Sequence, residues 1–105
     1  MLILKLARRA DRRSLGYEIW RQILRSAFFV PANIVEGFSS HKGKTYISHL
    51  EISKGSTAET EYWLIVLFES GEITKSDFTK LSGLYEEISK MLAVTLRSLA
   101  LRIDH

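Results

Sequence analysis

Cysteine is absent from this chain of 105 residues, which excludes disulfides and thiolate metal sites together. The absence fits a reducing cytoplasm, the compartment expected here. Proline occurs once and glycine six times, too little turn-forming material for the many reversals of an all-β fold. No apolar run is long enough to span a bilayer, and no membrane association is expected. The opening stretch from Met1 to Arg9 is only faintly like a targeting segment. Its apolar residues precede the positive ones and are too few for a secretory signal, so we read it as a short helical piece of the fold.

Enzyme signatures are missing as well. A bundle holding two metal ions uses inward-facing Glu-x-x-His pairs, yet none of His41, His49 and His105 has a glutamate three residues before it. No Gly-x-Ser-x-Gly elbow and no glycine loop for phosphates occur. A protein without catalytic activity, metal or cofactor is the expectation.

What is present is an ordinary globular mixture, 46% hydrophobic and 26% charged. Its length suits one domain, residues 1–105, able to bury a core unaided. The net charge of +3 conceals an asymmetry. Residues 1–44 hold nine Lys/Arg against three Asp/Glu, and residues 45–105 hold six against nine. A basic half suggests an anionic partner. The alternative is that the two halves attract each other within the fold or between subunits.

Hydrophobic spacing predicts three long helices. The first runs from about Leu15 to about Phe38, with Ser14 as N-cap and Gly37 near its end, where a left-handed residue can close a helix. The second runs from near Thr45 to near Ser70, with Gly71 marking its end. Gly55 falls mid-helix, at a cost of about 1 kcal/mol relative to alanine. With Ser56, Thr57 and Ala58 it reads as a narrow neck for close helix contact. The third helix starts at Thr74 or Ser76 as N-cap and repeats Phe78, Leu81, Tyr85, Ile88, Leu92, Leu96, Leu99 and Ile103 at steps of three and four. Short connections make neighbours antiparallel, so the fold expected is all-α, an antiparallel up-and-down four-helix bundle with a shortened N-terminal helix. Residues 2–13 supply about three turns at most, which leaves part of the apolar groove open and implies oligomerisation.

The only proline, Pro31, stands inside the first long helix, where it removes a backbone hydrogen bond and clashes with the preceding turn. Arg25, Asn33 and Glu36 surround it at helical spacings. One reading has Asn33 or Glu36 bonding to main chain near the proline or to a facing helix, with Arg25 in an ion pair. The other makes the three a polar rim facing a ligand or a neighbouring subunit. Glu59 is expected to pair with Arg25 or another basic residue across a helix interface.

Two motifs in order, Gln22-Ile23, Arg25, Ala27, Val30-Pro31, Asn33-Ile34, Glu36-Gly37-Phe38 and then Lys44, Tyr46, Leu50, Ile52, Gly55-Ser56, Glu59 and Glu61, resemble the pattern of the 23S rRNA intervening-sequence, or S23-type, family. Tyr17 precedes them and Gly71-Glu72-Ile73 follows, so the likeness covers about residues 17–100. It implies a non-enzymatic antiparallel four-helix bundle that forms a homo-oligomer, a pentamer in members of this kind. It extends to the accessory proteins of diversity-generating retroelements, which implies nucleic acid and a reverse transcriptase, or another protein, as partners. The motif residues Arg25, Pro31, Asn33, Glu36, Gly37, Gly55, Ser56 and Glu59 are read as structural. The family's first helix is normally longer than the stretch present here.

For nucleic acid, RNA or DNA, the candidate residues are Arg8, Arg9, Arg12 and Arg13, joined by Lys42 and Lys44 if the topology brings them together. An antiparallel bundle sets these groups about 35 Å apart. A ring of subunits would repeat each as a band and multiply weak phosphate contacts. No base-stacking aromatic array is evident, so binding is expected to be electrostatic and tolerant of sequence. A solvated charged face, or a protein-interaction scaffold that binds no nucleic acid, is the competing expectation.

Overall fold

The computed structural model describes residues 2–11, 13–39 and 43–104. They form four helices: α1 (Leu2–Ala7), α2 (Leu15–Ser39), α3 (Gly43–Glu69) and α4 (Lys75–Asp104). The body measures 51 × 21 × 18 Å. Helix α3 packs along both α2 and α4, and α1 packs on α2, whereas α2 and α4 make no close backbone contact. The class and the shortened first helix are those expected of the sequence.

Local chemistry sets the helix ends. Ser14 caps α2, its Oγ accepting the Tyr17 N–H at 3.1 Å. Thr74 caps α4 in the same way, its Oγ1 accepting the Asp77 N–H at 3.1 Å; of the two candidates, Thr74 holds the role and Ser76 does not. Gly71, at φ 75°, closes α3. The Glu72 N–H donates to the Leu67 carbonyl and the Gly71 N–H to that of Phe68, the paired bonds of a Schellman end. Phe68 and Phe78 stack across this turn with centroids 4.5 Å apart.

Gly37 does not close α2, contrary to the expectation above. The helix continues to Ser39, and the glycines with positive φ are Gly43 and Gly71. Gly37 is instead buried where α3 comes close: a Cβ there would lie 2.8 Å from Cδ1 of Tyr46 and 3.0 Å from Cβ of His49. Gly55 is corrected in the opposite sense. It is exposed, and a Cβ there would meet nothing within 4 Å. The close approach lies one helix earlier, because Gly55 turns away from α2 while its neighbours Ser56 and Thr57 face it and are buried.

The α2–α3 interface is tied by hydroxyls and an amide at successive levels. Ser26 Oγ and Thr60 Oγ1 lie 2.7 Å apart, and Thr60 in turn donates to the Ser56 carbonyl at 2.8 Å. Ser53 Oγ donates to the Val30 carbonyl at 2.8 Å. Asn33 Oδ1 meets His49 Nδ1 at 3.1 Å. Buried polar groups are costly unless bonded, and each of these is bonded, so the ladder fixes the register of two helices that small side chains let come close. The main apolar core lies toward the α1 end, where Ile3 and Ala7 join Trp20, Ile23, Leu64, Leu67, Leu81 and Tyr85.

Candidate nucleic-acid interface and the groove beside it

Hydrogen bonds hold the described residues between α1 and α2. The Arg8 N–H bonds back to the Leu4 carbonyl, that of Arg9 to Leu6 and that of Ala10 to Ala7. Asp11 then organises the reversal: its Oδ1 accepts the Arg13 N–H at 3.0 Å, an Asx-type turn. The Asp11 carbonyl accepts the Ser14 hydroxyl at 2.7 Å. Arg8, Arg9 and Arg13 are left exposed on a backbone held from within. Arg12 and Lys42 lie outside the described residues.

The fold adds a residue that was not among the candidates. With α1 laid on α2, Arg8 and Arg21 line one shallow depression with Tyr17, Trp20 and Leu24. Arg25 follows one turn beyond Arg21 and is exposed. Arg21 is held to Glu18 at 3.4 Å with both side chains more than half exposed, a contact worth little in water. Around the other side of the same turn Arg9 shares a depression with Glu72 and Asp77, so the positive surface faces α1 and α2 and fades toward α4. No sequence signal singles out Arg21, because its placement depends on where α1 docks. Lys44, in the first turn of α3, is exposed at the far end, about 37 Å away along α2. The two basic groups are not brought together.

The polar residues around Pro31 do not form a rim. Asn33 turns to α3, its amide donating to the Phe29 carbonyl at 3.0 Å while its oxygen meets His49. Arg25 and Glu36 are exposed. The expected pair of Arg25 and Glu59 is not formed: the ion pairs among the described residues are Arg21 with Glu18 and Lys90 with Glu86. Eight residues along a helix do not return to the same face but drift by roughly 80°, which carries Arg25 outward and Asn33 inward. The side-chain bonds near the proline reach the carbonyls of Phe29 and Val30, not that of Ala27, which residue 31 would otherwise have bonded.

Above α1 the cleft between α2 and α4 stays open as a groove of about 490 Å³. Val30, Pro31 and Ile34 form one wall, Ile88, Met91 and Thr95 the other, and Leu50 and Tyr85 lie at its floor. Burial raises the Tyr85 phenol above its usual range. On α3, burial and then the charge of Glu86 push the Glu61 carboxyl upward. Among the described residues no group of three or more His, Cys, Asp or Glu side chains could hold a metal ion. None of the helices is long and apolar enough to cross a membrane, again among the described residues.

A short α1 on a long antiparallel trio, with the Val-Pro-x-Asn-Ile-x-Glu-Gly segment in α2 and Gly55-Ser56 in α3, defines a class of small helical bundles. The chain belongs to the 23S rRNA-intervening sequence protein family, whose sequence profile matches residues 2–94. Among solved structures it is similar to a protein of unknown function from the S23 ribosomal protein family of Bacteroides thetaiotaomicron VPI-5482. The two superpose with a TM-score of 0.82 at 27% identity, over 91% of this chain and 86% of the other. No curated protein matches the sequence.

Proposed function

We propose that this protein is a non-enzymatic accessory that binds the phosphate backbone of RNA or DNA through the turn joining α1 and α2. The observation that carries the reading is the exposed set Arg8, Arg9 and Arg13 beside Arg21 and Arg25, of which Arg21 alone takes part in an ion pair among the described residues. Guanidinium groups that the fold leaves unpaired are free to displace counterions from phosphates. Self-association would repeat this end and raise avidity without new contacts. The likeness to retroelement accessory proteins adds a reverse transcriptase to the partners the reading admits.

Fluorescence anisotropy with a structured RNA and a DNA duplex, at low and moderate salt, tests it. The chain is expected to bind both at low salt with little preference for sequence. Replacing Arg8, Arg9, Arg12 and Arg13 with glutamine should weaken binding at least tenfold and flatten the salt dependence by up to about 0.9 per arginine lost. Lys44→Gln, at the far end, should change little. Absence of binding at low salt, or indifference to the four replacements, would overturn the reading.

A second reading, a protein-interaction scaffold without nucleic-acid binding, is favoured by the open apolar groove between α2 and α4.

A further inference from the structure

The groove between α2 and α4 is built unlike the surface around it. None of its lining residues is charged, and its walls are made by Val30, Pro31, Ile34, Ile88 and Met91. Its volume of about 490 Å³ falls within the roughly 300–1,000 Å³ of small-molecule sites. A helix with its side chains is about 10–12 Å across, so 490 Å³ would take roughly one turn of it. The space suits a compact molecule and not a docking helix.

Three of the lining residues, Tyr46, Tyr85 and Thr95, carry a hydroxyl. That of Thr95 already donates to the Met91 carbonyl at 2.9 Å. Tyr46 is half-buried, its ring edge-on to that of Phe38. Tyr85 differs from both. It is only 8% exposed, yet its hydroxyl has no hydrogen-bond partner among the described residues. Among these residues every side-chain polar atom sealed from solvent is bonded. The Tyr85 oxygen therefore opens onto free space, and the groove is the space that Tyr85 lines. Burial keeps the phenol protonated, so it can serve as a donor. A hydroxyl so placed costs free energy that an acceptor brought by a ligand would recover.

We propose that the groove binds a small, neutral, apolar molecule whose carbonyl oxygen accepts a hydrogen bond from the Tyr85 hydroxyl. The apolar walls supply contact area, and the single buried donor sets the orientation. A charged ligand is rejected, because it would lose its water without meeting an opposite charge. The site does not depend on binding nucleic acid: the groove and the depression holding Arg8 and Arg21 share no residue. It also gives the groove an occupant other than the protein partner of the second reading.

The neutral ketone dye Prodan, whose emission brightens and shifts to the blue on leaving water, is a suitable probe. The full chain should bind it saturably, and the anionic dye anilinonaphthalene sulfonate should not displace it. Tyr85→Phe, which removes the hydroxyl and keeps the ring, should weaken Prodan about tenfold. The same variant should bind dimethylaminonaphthalene, which lacks the ketone, as well as the unaltered protein does. Met91→Asp, which puts a charge in the groove wall, should abolish binding. Val94→Asp, on the same helix but outside the groove, should not; both residues are more than 60% exposed, so helix content by circular dichroism should hold in each. Refusal of Prodan by the unaltered protein, the result expected if a second copy or a protein partner is the occupant, would overturn the proposal. Equal weakening of both naphthalenes by Tyr85→Phe, or of Prodan by the two aspartates, would overturn it as well.

Discussion

Two glycines in long helices make opposite demands on their surroundings. A methyl group at Gly37 would press on the Tyr46 ring and the His49 side chain across the α2–α3 contact, whereas one at Gly55 would enter open space. Gly37→Ala is therefore expected to lower the unfolding free energy by about 1–3 kcal/mol through overpacking. Gly55→Ala should raise it by roughly 0.5–1 kcal/mol, since alanine limits the unfolded chain and suits an exposed helix. Denaturant titrations of the two variants check both signs at once. Glu61 provides a test of charge. Burial and the neighbouring Glu86 raise its folded-state pKa above the ordinary 4.5, so the proton is held more tightly in the folded protein. Its contribution to stability is full below 4.5 and is lost as pH rises through the folded value. Glu61→Gln should raise the melting temperature slightly near neutral pH, and the gain should disappear on acidification below 4.5, as thermal melts across that range will show.

At the scale of elements, each helix end depends on a residue whose role the hydrogen bonds define. Thr74 caps α4 and Ser76 does not, so Thr74→Ala should cost about 1 kcal/mol and Ser76→Ala close to nothing. Equilibrium unfolding of the pair will separate them. The buried stripe of α3 also changes character along its length. Toward α2 it presents the buried Ser53, Ser56, Thr57 and Thr60, with short side chains that permit close packing and hydroxyls that must be bonded. Further along the same buried stripe Leu64 and Leu67 enter the apolar core beside Trp20 and Ile23 of α2 and Leu81 and Tyr85 of α4. The cost of a mid-helix glycine and its small neighbours pointed to a neck at residues 55–58, but the rotation of α3 buries Ser56 and Thr57 and leaves Gly55 and Ala58 exposed.

Taken whole, the molecule is a bundle whose fourth element covers only one end. Helix α1 seats Ile3 and Ala7 in the core beside Tyr85 and Leu81, and the cleft above it is open. Basic residues gather on the covered end, around Arg8 and Arg21, while the open end carries the apolar groove. The proposed phosphate contact at the α1–α2 turn and the apolar groove thus occupy different parts of the surface.

The sequence by itself determined the helices, their antiparallel order, the caps at Ser14 and Gly71 and the family motif. These follow from spacing, backbone preference and residue identity, all of which act over a few residues. Only the tertiary structure decided which glycine marks the close contact, that Arg25 turns away from Glu59, that Arg21 joins Arg8, and which polar side chains tie α2 to α3. Each of these depends on the rotation of one helix about its axis against another. That rotation is set by the fit of many small side chains at once, and no local pattern in the chain encodes it.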